Sequence, residues 1–312
     1  KKDAARCRFG ALVWRGGVTL TAPSSNFGGW SGLNVGADGR GFVAVSDAGT
    51  WLTGRLTYNA DGGVAGMTDA QIGPLKARDG TTLSRRRDRD AESIVIDSGD
   101  LKNGTALIAF EQHDRIGRFP VGPDGVGAPS EYLAMPPEAK EMKVNGFETV
   151  AVLRGGAQKG TIVAIAEEPT RSGKSRGWFW DGGKPVKFTI ADAGGYCVTD
   201  AKGLPDGSLL VLERRFRWTE GVKMRLSRLP AGSIVDGAVI QRQVLAEATM
   251  DQNIDNMEGL GVHTNATGET IVTLISDDNF NSFFQRTVLL QFVLDLDGKT
   301  GAPVEVHASE TR

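Results

Sequence analysis

"NGFETVAVLRGGAQKGTIVAIAEEP", residues 145–169, decides how this chain folds. It reads as a short strand, a glycine-rich turn, a second apolar strand and then an acidic residue, Glu167. Short apolar runs rich in β-branched residues and bounded by glycine read as paired strands. Four other segments repeat the pattern. They are "GGWSGLNVGADGRGFVAVSDAG" from Gly28, "RDAESIVIDSGDLKNGTALIAFEQHD" from Arg89, "YCVTDAKGLPDGSLLVLERR" from Tyr196 and "DNMEGLGVHTNATGETIVTLISDDN" from Asp255. The closing acids are Asp47, Glu111, Glu167, Glu213 and Asp277, spaced 64, 56, 46 and 64 residues apart.

More β-like sequence follows each unit, such as "RIGRFPV" (115–121), "RGWFW" (176–180), "KMRLSRL" (223–229) and "TVLLQFVL" (287–294). Weaker fourth runs come next, as in "VKFTIA" (186–191) and "AVIQRQVL" (238–245). Four antiparallel strands per repeat with irregular outer strands is how a β-propeller blade reads. A solenoid requires tighter periods. A β-sandwich with accidental similarity is the competing architecture. The fold expected is therefore all-β: a single-domain β-propeller over residues 1–312 with four-stranded antiparallel blades. The motif count gives five blades, or six if one repeat has lost its pattern. The last unit lacks an outer strand, and "GALVWRGGVTLTA" (10–22) is predicted to supply it and close the ring.

Composition agrees with this reading and narrows the function. The 312 residues are 40% hydrophobic and 24% charged, with 42 glycines. A net charge of −2 gives no reason to expect nucleic acid. The longest apolar runs, such as "ALIAF" (106–110), are too short to span a bilayer as a helix. Cys7 and Cys197 leave two readings open, one disulfide in an exported protein or two buried thiols. The first reading goes with a periplasmic or secreted location, and the second leaves a cytoplasmic one open.

Blade topology places the acids. The inner strand runs down the channel and the next returns, so the start of the first and the end of the second share one face. The first strands begin at Ser31, Glu92, Glu148, Asp200 and Glu258. With the five closing acids, about ten polar positions should crowd one end of the axis. Asp90, Asn145, Asp255, Asn256, Asp278 and Asn279 lie beside them. So many oxygen ligands suit a hard cation, calcium best. With 3 histidines, a zinc, copper or iron site is not expected. "DQNIDN" (251–256) spaces oxygens like an EF-hand but has Asn256 at the glycine position and Val262 at the glutamate position, so it is rejected. Each acid also has a structural reading, as acceptor for backbone N–H groups or partner of arginine.

The blocks "GGWSGL", "DAESI", "NGFETVA", "LLVLER", "NMEGL" and "SDDNF", in this order, resemble the phytase-like (esterase-like) family of bacterial propeller proteins. "DAESI" departs by lacking glycine after Glu92, and "NGFETVA" by Thr149. The resemblance implies a propeller, often exported, with calcium. Fold and family name alone do not fix the chemistry.

Two chemistries follow. A calcium-dependent hydrolase of a phosphate ester or other ester would hold metal on Asp47, Glu92, Glu111, Glu148, Glu167, Glu213, Glu258, Asp277 and Asp278. Its catalytic candidates are Glu92, Glu148, Glu258 and His113, the last as a base two residues after Glu111. Arg85, Arg86 and Arg87 in "SRRRDRD" (84–90), with Ser31, are the candidates for holding a small, anionic substrate. His263 falls at the far end of a first strand and His307 in the tail. No G-x-S-x-G motif supports a serine hydrolase. The alternative is a non-catalytic, calcium-stabilised propeller binding a small ligand or protein, with Trp178, Phe179, Trp180, Phe216 and Trp218 either lining that surface or packing the blades.

Overall fold

Each of the five repeats forms its own antiparallel sheet in the computed structural model, which describes residues 7–141, 146–167, 172–191, 194–281 and 283–298. Blade 1 runs Trp30–Val35, Gly41–Ser46, Thr50–Tyr58 and Val64–Pro74. Blade 2 runs Ala91–Gly99, Gly104–Phe110 and Arg115–Gly122, with Gly125–Val126 and Glu131–Tyr132 sharing its outer edge. Blade 3 runs Phe147–Val152, Ile162–Ala166, Ser175–Asp181 and Lys184–Ile190. Val239–Ile240 adds to its edge in parallel and covers unpaired backbone groups there. Blade 4 runs Cys197–Gly203, Leu209–Arg217, Gly221–Leu229 and Gln243–Thr249.

Blade 5 has Asn256–Thr264, Thr270–Asp277 and Thr287–Leu294 from the end of the chain. Its fourth strand is Leu12–Leu20, antiparallel to Thr287–Leu294 in register Leu12↔Leu294 to Leu20↔Thr287. Both ends of the chain thus build one blade, as the missing outer strand required, and the count is five. The Arg8 guanidinium donates to Asp295 at 2.6 Å across the seam.

Four of the turns between first and second strands share one device. The side chains of Asp38, Asp100, Asp206 and Asn265 accept backbone N–H groups two or more residues on. Such Asx turns fix a tight reversal without help from the core. Stretches of the second strands, such as 106–110 and Ile162–Ala166, then read as unbroken apolar runs because blades pack on both of their faces. Ile162–Ala166, for example, is buried throughout.

Five apolar clusters fill the five spaces between neighbouring blades. Trp51 packs with Ile94 and Phe110 between blades 1 and 2, and Trp178 with Phe147 and Leu107 between blades 2 and 3. Val163 and Val211 meet between blades 3 and 4, Leu212 and Leu274 between 4 and 5, and Trp30 and Ile275 between 5 and 1. Trp178, Phe179 and Trp180 are therefore core residues.

Candidate functional site

One irregularity in the ladder builds the site. Every innermost strand slips register against its partner near its start, between Trp30 and Gly32, Ala91 and Ser93, Phe147 and Thr149, Val198 and Asp200, and Met257 and Gly259. The extra residues are Ser31, Glu92, Glu148, Thr199 and Glu258. A β-bulge sets two residues against one and re-aims a side chain. All five bulges fall at the same level around the axis.

The second strands end at one level too. The backbone N–H groups of Asp47, Glu111 and Glu167 donate to the carbonyls of Gly29, Asp90 and Gly146. Arg214 pairs with Cys197 and Asp277 with Asn256 in the corresponding places. The outer ring is therefore Asp47, Glu111, Glu167, Arg214 and Asp277.

In blade 4 the expected assignment is out by one residue at both positions. Thr199, not Asp200, is the bulge, and Arg214, not Glu213, is the strand end. A one-residue slip turns a side chain to the opposite face. Glu213 is accordingly fully buried between strands, where Arg225 binds both carboxylate oxygens at 2.8 Å and Ser227 and Arg242 bind as well. It is a structural acceptor and not a metal ligand. Asp200 lies one level deeper in the channel. It accepts from Ser93 in blade 2 (2.8 Å), Thr149 in blade 3 (3.3 Å), Lys202 in its own blade (2.7 Å) and the N–H of Leu260 in blade 5 (2.8 Å). One carboxylate thus ties four blades together.

The three glutamates on bulges converge. Glu92, Glu148 and Glu258 are buried, and each offers a carboxylate oxygen within 4.8 Å of the others. Asp90, Glu92 and Glu111 form a second such group. Loss of solvent and then mutual repulsion push the Glu92 and Glu148 carboxyls well above the usual range. Burial, with repulsion added, raises Glu111 and Asp277 to about 7 and Asp47 to about 6.

Arg214 is the ring residue that sequence reasoning missed. Its guanidinium lies 3.5 Å from Glu258 and 3.8 Å from Glu167, and donates to Asn256 Oδ1 at 2.9 Å. These carboxylates, Glu258 foremost, hold its pKa above the ordinary arginine value. Asn256 in turn donates to Glu258 at 2.7 Å. The clue was present in "LERR", where the basic residue follows the closing acid, but only the register shows which of the two faces the axis.

"GGWSGL" and "SDDNF" lock together between blades 5 and 1. Asp278 accepts the N–H groups of Gly29 at 3.2 Å and Phe280 at 3.1 Å, and the hydroxyl of Thr287 at 3.1 Å. Its oxygens are thus engaged in holding this corner, whereas it was expected to bind metal. Gly28 and Gly29 have φ of 147° and 67°, and a Cβ on either would strike Phe280 and an Asp278 or Asp47 oxygen. Ser31 is buried and donates to Gly29 O at 3.4 Å.

The remaining candidates lie at the margin. Arg85, Arg86 and Arg87 are exposed. Burial pushes the Asp90 carboxyl above its ordinary value, and the charge of Arg86 offsets part of that rise. His113 pairs with Asp88 at 3.0 Å, and its side chain is 67% exposed. That places it on a solvated edge and not among the converging glutamates. Phe216 and Trp218 are exposed and stack edge to face at 5.5 Å. Cys7 and Cys197 are thiols, each half-buried. Asn145 and His307 lie outside the described residues. Among the described residues, no helix is long and apolar enough to cross a membrane.

The family described as "Phytase-like: Esterase-like activity of phytase" matches residues 25–280. No curated protein matches the chain. Among solved structures, the chain is similar to the α-L-arabinofuranosidase PaAbf62A of Podospora anserina, solved in complex with cellotriose. Identity there is 13% and the TM-score 0.47, over 91% of this chain and 98% of that one. It is also similar to the β-propeller domain of Cps50 (Swd1) of Myceliophteria thermophila, at 14% identity and a TM-score of 0.39, over 83% of this chain and 81% of that one. The matched region takes in all five inner strands and the converging carboxylates they carry, and the chain belongs to the phytase-like family of β-propellers.

Proposed function

We propose that the acidic end of the channel is a calcium site at which the chain hydrolyses an ester, with an anionic phosphate ester as the substrate that suits it best. The supporting observation is the convergence of Glu92, Glu148 and Glu258 within 4.8 Å of one another, buried and without histidine or cysteine among them. Three buried carboxylates repel unless protonated or bridged by a cation, and an all-oxygen set fits calcium. Glu92, Glu148 and Glu258 would hold it, with Asp90, Glu111 and Asp277 adjoining. Bound calcium supplies charge to an ester oxygen and acidity to water.

The chain's own residues supply the rest. Without a cation, burial and mutual repulsion raise Glu111 and Asp277 to about 7. A neighbouring calcium would lower both and leave them as ionised carboxylates able to accept a hydrogen bond from water. Arg214 presents a guanidinium inside a carboxylate ring, where an incoming phosphoryl oxygen can compete with Glu258 for its N–H groups. Arg85, Arg86 and Arg87, exposed on the connection between blades 1 and 2, extend positive charge to the rim.

Hydrolysis of phosphomonoesters, lactones and aryl esters, measured with calcium and again after chelation, tests this reading. Turnover of a phosphomonoester that disappears on chelation and returns with calcium is expected. No turnover of any substrate by folded, calcium-bound protein would leave the non-catalytic binding propeller as the function.

A further inference from the structure

The space between blades 4 and 5 differs from those between blades 1 and 2 and between blades 2 and 3. Between blades 1 and 2 the Trp51 indole fills the gap so closely that a Cβ on Gly125 would strike its ring. Between blades 2 and 3, Trp178 and Trp180 do the same work. Between blades 4 and 5 the outer wall is built from Ala246 and Ala248, which face Leu226 and Met224 in register. A cavity of about 310 Å³ remains there. Protein interiors pack like organic crystals and leave few voids larger than a water. An apolar cavity of about 150 Å³ already holds a benzene ring.

The lining defines what would fit. Trp14 and Phe292 meet edge to face at 5.3 Å, and Phe9 and Phe292 at 6.4 Å, so rings form one wall. Gly17 keeps that wall in place, because a Cβ there would meet the Trp14 ring and Leu290 at 2.7 Å. Charged lining residues are confined to exposed positions, Glu247, Asp251 and Arg286. The interior offers no buried charge and favours an uncharged guest. The loop 251–254 and the start of the third strand of blade 5 line it toward the end of the disc that carries the carboxylate ring, and the exposed Gly17, Thr19 and Glu247 line it along the outer strands, so it is a cleft open to solvent.

We infer that this cavity is a binding site for an uncharged aromatic molecule, about two fused rings in size, seated against Trp14 and Phe292 between the alanines of blade 4. It is separate from the carboxylate ring and does not rest on the ester reading.

2-Naphthol is a suitable probe. A saturable rise in melting temperature is expected with the wild-type chain, together with a change in Trp14 fluorescence that Trp14→Phe removes. Chelating calcium should leave the affinity unchanged. Ala248→Leu fills the cavity and should weaken binding at least tenfold while its own melting temperature holds or rises. Ala246→Leu is the second filling variant should the first fail to fold. A crystal soaked in 2-bromonaphthalene should place bromine density beside Trp14. No saturable response in the wild-type chain, equal binding by a folded leucine variant, or bromine density elsewhere alone would overturn the inference.

Discussion

Glu213 and Arg214 are adjacent in sequence, face opposite sides of one strand and carry opposite duties. Glu213 neutralises Arg225 and Arg242 inside blade 4. Removing one partner of a buried ion pair leaves an uncompensated charge, which costs about 3–5 kcal/mol. Glu213→Gln should therefore lower unfolding free energy by that amount in urea titration, with bound calcium unchanged in stoichiometry. Arg214→Gln should behave differently. It removes a charge-assisted donor from the acidic ring, worth roughly ten- to a hundredfold in substrate affinity. Steady-state kinetics should show a raised KM for a phosphomonoester and little change for a neutral aryl ester. An equal loss on both substrates would mean that Arg214 acts on the carboxylates and not on the substrate's charge.

At the scale of strands, the bulge decides which side chains meet. Repeats, hairpins and five blades are legible in the sequence because glycine turns and apolar runs have local causes, and the ring's closure follows from one missing outer strand. Glu92, Glu148 and Glu258 are legible as well, since the same local pattern precedes each. Blade 4 is not, because its two acids lie one residue off the shared register and no local signal marks a bulge. Asp278 misleads for another reason. It sits beside Asp277 in sequence, yet a turn with Asn279 and Phe280 at φ of 48° and 51° directs it toward Gly29 instead. That corner joins blades 5 and 1, and it should be brittle. Gly29→Ala forces a Cβ toward Asp47 and Phe280 at positive φ. A loss of more than about 1 kcal/mol is expected, read as a lower urea midpoint.

For the whole molecule, the acidic ring couples stability to pH and to calcium. Asp47, Glu111 and Asp277 have carboxyls raised to about 6, 7 and 7, above the values near 4 of an unfolded chain. The folded protein then binds more protons than the unfolded one between those values. This contribution is fully present below about pH 4 and is lost as pH rises through 6 to 7. Ion-paired carboxylates such as Glu220, held at about 2 with Lys223 as the main partner, have the opposite sign but act below pH 5. Chelated protein should thus show a urea midpoint that falls from pH 5 to pH 8, and calcium should restore it at pH 8. A midpoint that is flat or rises over this range would contradict the repulsion described. The most direct measurement is calorimetric titration of calcium into chelated protein at pH 7.5, for the wild-type chain and Glu148→Gln. Saturable binding to the wild type, weakened roughly tenfold or more in a folded Glu148→Gln variant, is the predicted result. No binding to the wild type, or the same affinity in both proteins, would contradict a metal centre on the converging glutamates.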